Sequence, residues 1–101
     1  MPAVDQEVSV EDVVEVFRGY PPRTSMTVEE ALQVVYDERR TVESYSAGLT
    51  LILTEGVSKE QLIHGCALLR SVLEGWKENT SEEEDRRRYS RALVTLEKMM
   101  T

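Results

Sequence analysis

Two residue types with reactive side chains are almost missing from this sequence. Its 101 residues contain one cysteine, Cys66, and one histidine, His64. A single cysteine cannot form an internal disulfide, which fits a reducing compartment, so we expect a cytoplasmic protein. A zinc site made by one chain needs more nitrogen and sulfur ligands than these two residues offer. Because they lie two apart on a predicted helix, they point in different directions and cannot form a nucleophile pair.

Long hydrophobic runs are lacking too. No stretch approaches the roughly 18 uncharged apolar residues that a transmembrane helix needs, so we expect no membrane span. Residues 1–12 carry acidic side chains where a signal peptide needs basic ones, and they contain no apolar core. We therefore expect no secretion by that route.

Signatures of enzymes are also missing. The five glycines are isolated from one another, so the sequence has no glycine-rich phosphate-binding loop. Gln61 stands three residues before His64, so the Glu-x-x-His motif of bundle metal sites is absent. The acidic run of all-α nucleotide pyrophosphatases is broken, because Gln33 stands where a third glutamate would have to follow Glu29 and Glu30. We expect a protein that is not an enzyme and has no cofactor and no catalytic or metal-binding residues.

What the chain does contain is enough for one small domain. Hydrophobic residues make up 41% and charged residues 31%, prolines number three, and no low-complexity tract occurs, which argues against disorder. A chain of this length supports a single core. We expect a flexible tail at residues 1–8 and one helical domain over residues 9–101.

The net charge of −7 is unevenly placed along the chain. Residues 1–58 hold eleven acidic residues and four arginines, whereas residues 59–101 hold eight of each sign. The first half should therefore repel the phosphates of nucleic acids and anionic membrane surfaces. Its acidity serves solubility in the simplest interpretation and forms a docking face for a basic partner in the sharper one.

A repeated pattern marks the helix starts. A serine or threonine followed three residues later by Asp, Glu or Gln is typical of a capping box. This pattern occurs at Ser9–Asp12, Thr27–Glu30, Ser58–Gln61 and Ser81–Glu84. Because an apolar stripe with helical spacing follows each one, the sequence predicts an all-α fold, a small antiparallel helical bundle. The short first helix and the three longer ones are predicted at about residues 10–18, 28–54, 59–77 and 82–100.

The first helix has a competing interpretation. Residues 12–17 are rich in β-branched side chains, which also suit a strand. The cap at Ser9 and the stop formed by Gly19 and the following Tyr20-Pro21-Pro22 favour the helix.

The second predicted helix is longer than its neighbours. At 1.5 Å per residue it would be about 40 Å long, and Gly48 inside it either permits a close helix crossing or bends it. Its N-terminal part lacks cover unless the first helix folds back on it or a second chain covers it. We therefore predict a homodimer through this helix. The residues expected at that interface are Val35, Val42, Tyr45 and Leu49.

With no chemistry identified, the sequence favours a small adaptor or regulatory protein that acts through protein–protein contacts. The predicted partner-binding face comprises Glu11, Asp12, Glu15, Phe17 and Tyr20. Aromatic residues dominate interface hot spots, although Phe17 and Tyr20 could equally cap the bundle. The sequence does not identify the partner.

Two alternatives stay open. The acidic face could mimic nucleic acid and occupy a basic site on a partner, which would make the protein an inhibitor. A nucleic-acid-binding regulator would instead use the basic residues Arg86, Arg87, Arg88 and Arg91. The simpler interpretation of that cluster is a solvated helix face held by i,i+4 ion pairs, which the sequence places at Glu82–Arg86, Glu83–Arg87 and Glu84–Arg88.

Overall fold

Five α-helices and no strands form in the computed structural model, which describes residues 9–37 and 39–101. In chain order they are α1 (Val10–Val16), α2 (Val28–Tyr36), α3 (Val42–Leu53), α4 (Lys59–Asn79) and α5 (Glu83–Met100). The prediction of an all-α helical bundle is confirmed, and the first element is a helix rather than a strand. The predicted tail at residues 1–8 lies outside the described residues.

Short polar side chains fix most of the helix starts. Thr27 and Ser58 each accept the backbone N–H three residues on at 3.1 Å and form complete capping boxes, as predicted. α1 begins directly after Ser9, but the Ser9 side chain makes no capping hydrogen bond. The box predicted at Ser81 is wrong, because α5 begins after Glu82, whose N–H donates to the Thr80 hydroxyl at 3.2 Å.

The long helix predicted over residues 28–54 is wrong. α2 ends at Tyr36, and α3 begins at Val42 after a turn in which Arg40 adopts the left-handed conformation with φ of 51°. Thr41 caps the start of α3, because its hydroxyl oxygen accepts the N–H of Ser44 at 3.2 Å. A second helix therefore begins in the middle of the long helix that the sequence predicted. The two halves pack against each other as a hairpin, so no long helix is left uncovered.

α3 has the largest buried share of the five helices described. Eight of its twelve residues are buried, since it packs against both α2 and α4 and contributes to the main core. One side contributes Leu49 and Ile52 to the main core, the apolar cluster built by α1, α3, α4 and α5. Another side contributes Ala47 and Leu51 to the hairpin core, a smaller cluster shared by α2, α3 and α4. None of the described helices, α3 included, has both the length and the apolar content to cross a membrane.

Two glycines allow α3 and α4 to cross at close range. A Cβ atom on Gly65 would lie 3.2 Å from the carbonyl oxygen of Gly48 and 3.3 Å from Cβ of Leu51. A Cβ atom on Gly48 would lie 3.2 Å from Cγ of Leu69. Of the two roles that the sequence left open for Gly48, the structure therefore shows the close crossing.

The remaining helices pack around this crossing. α4 and α5 lie antiparallel, since the Trp76 and Tyr89 rings meet near one end and the Lys59 ammonium donates to the Met99 carbonyl at the other. α1 packs on α5 and places Val13 and Phe17 fully inside the main core. The short first helix thus covers the bundle within one chain.

The close crossing predicts opposite effects for two glycine substitutions. Gly65→Ala should lower the free energy of unfolding by about 1–3 kcal/mol, because the new methyl group meets a backbone oxygen that cannot move aside. Gly75→Ala in the same helix should raise it by about 0.5–1 kcal/mol, since a Cβ there meets nothing within 4 Å. Urea unfolding followed by far-UV circular dichroism measures both. Equal effects of the two variants would contradict the close crossing.

Candidate functional site

A cavity opens beside the turn that separates α2 from α3. It has a volume of about 530 Å³ and lies between this turn and α4. We call it the turn cavity, and its lining comprises Val35, Tyr36, Arg40, His64, Ala67, Leu68 and Ser71. Apolar side chains from α2 and α4 form part of the wall, and four polar side chains complete it. A concave site in which a few polar groups converge beside an apolar wall is typical of binding sites.

The helices bring these polar groups together from three places in the chain. Tyr36 is the last residue of α2, and Arg40 belongs to the turn. His64 and Ser71 are seven residues apart on α4, so they stand two turns apart on the same helix face. The cavity exists because the hairpin of α2 and α3 is packed against this face.

Two hydrogen bonds fasten the turn to α4. The Tyr36 hydroxyl and Nε2 of His64 are 2.6 Å apart, with the two rings 4.5 Å apart. Nη2 of Arg40 donates to the Ser71 hydroxyl at 2.8 Å. These bonds hold four side chains in defined positions around the cavity mouth.

Among the described residues that line the turn cavity, Arg40 carries a positive charge and none is an Asp or Glu. Three other arginines of the acidic half pair with acidic residues: Arg18 with Glu15, Arg23 with Glu43 and Arg39 with Asp37. Arg40 differs, since within residues 9–37 and 39–101 it forms no ion pair and its observed partner is the neutral Ser71 hydroxyl. The cavity is therefore a local positive site on an acidic protein.

The charge of Arg40 also reaches the adjacent aromatic cluster. Burial raises the pKa of the Tyr45 hydroxyl, and the neighbouring Tyr20 adds to this rise, whereas the positive charge of Arg40 acts to lower it. Arg40 thus acts electrostatically on α3 while its guanidinium bonds to α4.

Two large apolar side chains flank the turn and face solvent. Tyr36, directly before it, is 62% exposed, and Val42, directly after it, is 57% exposed. We call these two residues together with the turn cavity the turn surface. Exposed apolar groups beside a polar notch are a feature of interaction sites.

The four residues predicted for a dimer interface do not share one face. Val35 is buried in the hairpin core and Leu49 is buried in the main core. Tyr45 is half-buried beside Phe17, so only Val42 stays largely exposed. The break between α2 and α3 is the reason, because the stripe that would align them needs one uninterrupted helix.

The predicted partner-binding face is divided as well. Glu11 and Glu15 are exposed and Asp12 is partly exposed, and all three border a cavity of about 230 Å³ with Arg88 and Arg91 of α5. The acidic side of α1 therefore faces positive charge within the same chain.

The aromatic residues of that predicted face lie in the interior instead. Phe17 is fully buried with its ring 5.1 Å from that of Trp76, and Tyr20 is half-buried with its ring 5.0 Å from that of Tyr45. Of the two roles open to this pair, the structure shows the cap over the bundle.

The arginine cluster of α5 is mostly engaged with its own helix. Arg87 pairs with Glu83 at 3.4 Å as predicted. Arg88 pairs with Asp85 at 2.9 Å rather than with Glu84, and its Nε is buried without a hydrogen-bond partner. Arg86 donates to the Thr80 carbonyl oxygen at 3.2 Å rather than pairing with Glu82.

Cys66 has no place in the site. It lies fully buried in the main core, and burial raises the pKa of its thiol to about 11, although nearby Lys59 acts in the opposite direction. The neighbouring His64 points to the turn cavity instead. In the part of the chain that the structure describes, no group of three His, Cys, Asp or Glu side chains is placed to hold a metal ion.

No sequence pattern predicted Tyr36, Arg40 or Ser71 as site residues. A usable signal was present at Thr41, whose side chain caps a helix, but the box pattern requires an acidic or amide residue three positions on and Ser44 stands there. His64 is part of the site only because the hairpin brings Tyr36 to it.

Comparison of the chain with protein-family models, curated proteins and solved structures finds no match. The function is therefore argued from the geometry of the chain itself.

Backbone strain at Arg40 can be tested with two substitutions that both remove the guanidinium. A left-handed conformation costs a residue with a Cβ about 1–2 kcal/mol, and a β-branched side chain fits it worst. Arg40→Gly should therefore unfold at a free energy about 1–2 kcal/mol higher than Arg40→Val, as measured by urea unfolding. Equal stabilities would show that Arg40 carries no such strain.

Cys66 should be unreactive in the native protein. At pH 8, a thiol with a pKa of about 11 has about one hundredth of the thiolate of a thiol with a pKa of 9.0. Modification of native Cys66 by a disulfide reagent should therefore be at least about a hundredfold slower than modification of the protein unfolded in urea. The free energy of unfolding should also fall as the pH rises from 9.0 towards about 11, because the unfolded thiol loses its proton first. A native thiol that reacts as fast as the unfolded one would contradict its burial.

Proposed function

We propose that this chain is a small non-enzymatic adaptor or regulatory protein that binds another protein through the turn surface. The observation that carries the proposal is the exposure of Tyr36 and Val42 on either side of a turn that is strained and fastened to α4. Tyrosine is enriched among the residues that contribute most to protein interfaces. Left-handed conformations at residues other than glycine cluster at functional sites.

Preorganisation supports the same proposal. The Tyr36 hydroxyl is bonded to His64 and the Arg40 guanidinium to Ser71, so these side chains are ordered before a partner arrives. Binding then costs this chain less side-chain entropy than it would if these side chains were mobile.

The pairing of the polar groups favours binding over covalent catalysis. The histidine is bonded to a tyrosine, and the serine accepts a hydrogen bond from an arginine. Nucleophilic catalysis by serine needs a base within hydrogen-bond reach of its hydroxyl, and the observed partner of Ser71 is a donor.

A second copy of the chain is the first partner to examine. The homodimer stays a prediction, but its support has changed, because the long uncovered helix that suggested it does not form. What remains is Val42, which is exposed in the single chain and is one of the four residues predicted for the interface.

A cytoplasmic location and mimicry of nucleic acid are two further proposals, and fewer observations support them. The absence of an internal disulfide partner for Cys66 is consistent with a cytoplasmic location. Mimicry of nucleic acid by the acidic side of α1 gains no separate support, because Arg88 and Arg91 border the three acidic residues concerned.

Two valine substitutions test the proposal. Val42→Asp places a charge on the turn surface, and Val94→Asp is its matched control, since Val94 is 54% exposed on α5 and does not line the turn cavity. Both variants should keep the melting temperature of the parent within a few degrees, because neither valine is buried. Val42→Asp should weaken self-association, measured by light scattering after size exclusion, or capture of a partner from nuclease-treated lysate, by at least about tenfold.

The control decides how the result is interpreted. Val94→Asp should leave the mass and the captured partner as they are in the parent protein. If Val42→Asp also leaves both unchanged, or if the two variants weaken binding equally, the turn surface is not the contact site.

A further inference from the structure

We propose that the turn cavity recognises a single carboxylate, presented by an acidic side chain of the protein partner. This inference rests on the proposed function, since it names the chemistry that the partner brings to the same surface. It can be measured separately, because carboxylate binding needs only the isolated chain.

The positive charge of Arg40 in the turn cavity supports this inference. Of the lining residues that the structure describes, Arg40 is charged and none is an Asp or Glu, although the half of the chain to which Arg40 belongs is strongly acidic. The other arginines with observed partners in that half are each neutralised by a carboxylate of this chain. The guanidinium at the cavity is thus placed to meet a carboxylate from outside.

The unused hydrogen-bonding capacity of Arg40 and Ser71 supports the same inference. A guanidinium has five N–H donors in a planar fork, and within the described part of the chain Arg40 uses Nη2 alone, bonded to a neutral oxygen. The Ser71 hydroxyl accepts that bond and keeps its own O–H to donate. The fork matches the two oxygens of a carboxylate, and Tyr36 and His64 provide further polar contacts at the same mouth.

The amount of charge selects a carboxylate over a phosphate. One arginine balances the single charge of a carboxylate, whereas a phosphate monoester carries about −1.5 to −2 and favours a cluster of arginines. The apolar part of the wall, formed by Val35, Ala67 and Leu68, suits the methylene groups that precede a side-chain carboxylate.

Three other cavities that contain an arginine lack this imbalance, because at least two glutamates line each of them. Between α1 and α5, Arg88 and Arg91 share a cavity of about 230 Å³ with Glu11, Asp12 and Glu15. Three carboxylates of the chain already offset the two arginines there. An incoming anion would meet more negative than positive charge, so the turn cavity is the better anion site.

The test is a titration of the isolated full chain with blocked amino acids, followed by NMR. N-acetyl-glutamate amide should shift the signals of Arg40, His64 and Ser71 in a saturable way, and N-acetyl-glutamine amide at the same ionic strength should not. Arg40→Asn should weaken the association at least about tenfold while the fold is kept, because asparagine tolerates the left-handed conformation. Arg40→Lys should retain part of the affinity, since it keeps the charge and loses the fork.

Three results would overturn the inference. They are a glutamine analogue that binds as well as the glutamate compound, an Arg40→Asn variant that binds like the parent, and inorganic phosphate that binds more tightly than the glutamate compound at equal ionic strength. The two proposals fail separately. If the glutamate compound binds but Val42→Asp leaves partner binding unchanged, the proposed function fails and the carboxylate site stands; the reverse pair of results removes only the carboxylate site.

Discussion

The backbone contact between α3 and α4 at Gly48 and Gly65 is the constraint on which the rest of the structure depends. Because neither residue has a Cβ, the two helices approach until a carbonyl oxygen of one fills the space beside the other. α3 then packs against both α2 and α4, and its buried apolar residues divide between the main core and the hairpin core. A side chain at either glycine would push one of these clusters apart, since protein interiors are close-packed.

The turn surface is a consequence of that arrangement. With α3 against α4, the hairpin partner α2 also reaches α4, and its last residue, Tyr36, comes within hydrogen-bond distance of His64. The chain must reverse direction in a few residues before α3 begins, and it does so with Arg40 in a left-handed conformation. Strain and preorganisation therefore arise from one geometric requirement, and both fall on Arg40, which carries the fixed charge in the described lining of the cavity.

Charge is distributed more evenly in space than along the chain. The acidic side of α1 lies beside arginines of α5, and paired arginines of the first half neutralise carboxylates close to them. Exposed ion pairs of this kind add little to stability, typically less than about 1 kcal/mol each. They leave Arg40 as the arginine of the acidic half whose observed partner is uncharged.

Local patterns in the sequence determined that the fold is all-α and where α2 and α4 begin. The capping boxes at Thr27 and Ser58 join residues three apart, so the sequence alone could predict them, although the same pattern at Ser81 does not start α5. Local patterns did not determine whether the helix continues past Tyr36. Its valine spacing continues through the turn, and packing against α4 decided that Val35 is buried and Val42 exposed. The turn cavity was decided only by tertiary structure, because its polar groups come from distant positions whose proximity no local pattern encodes.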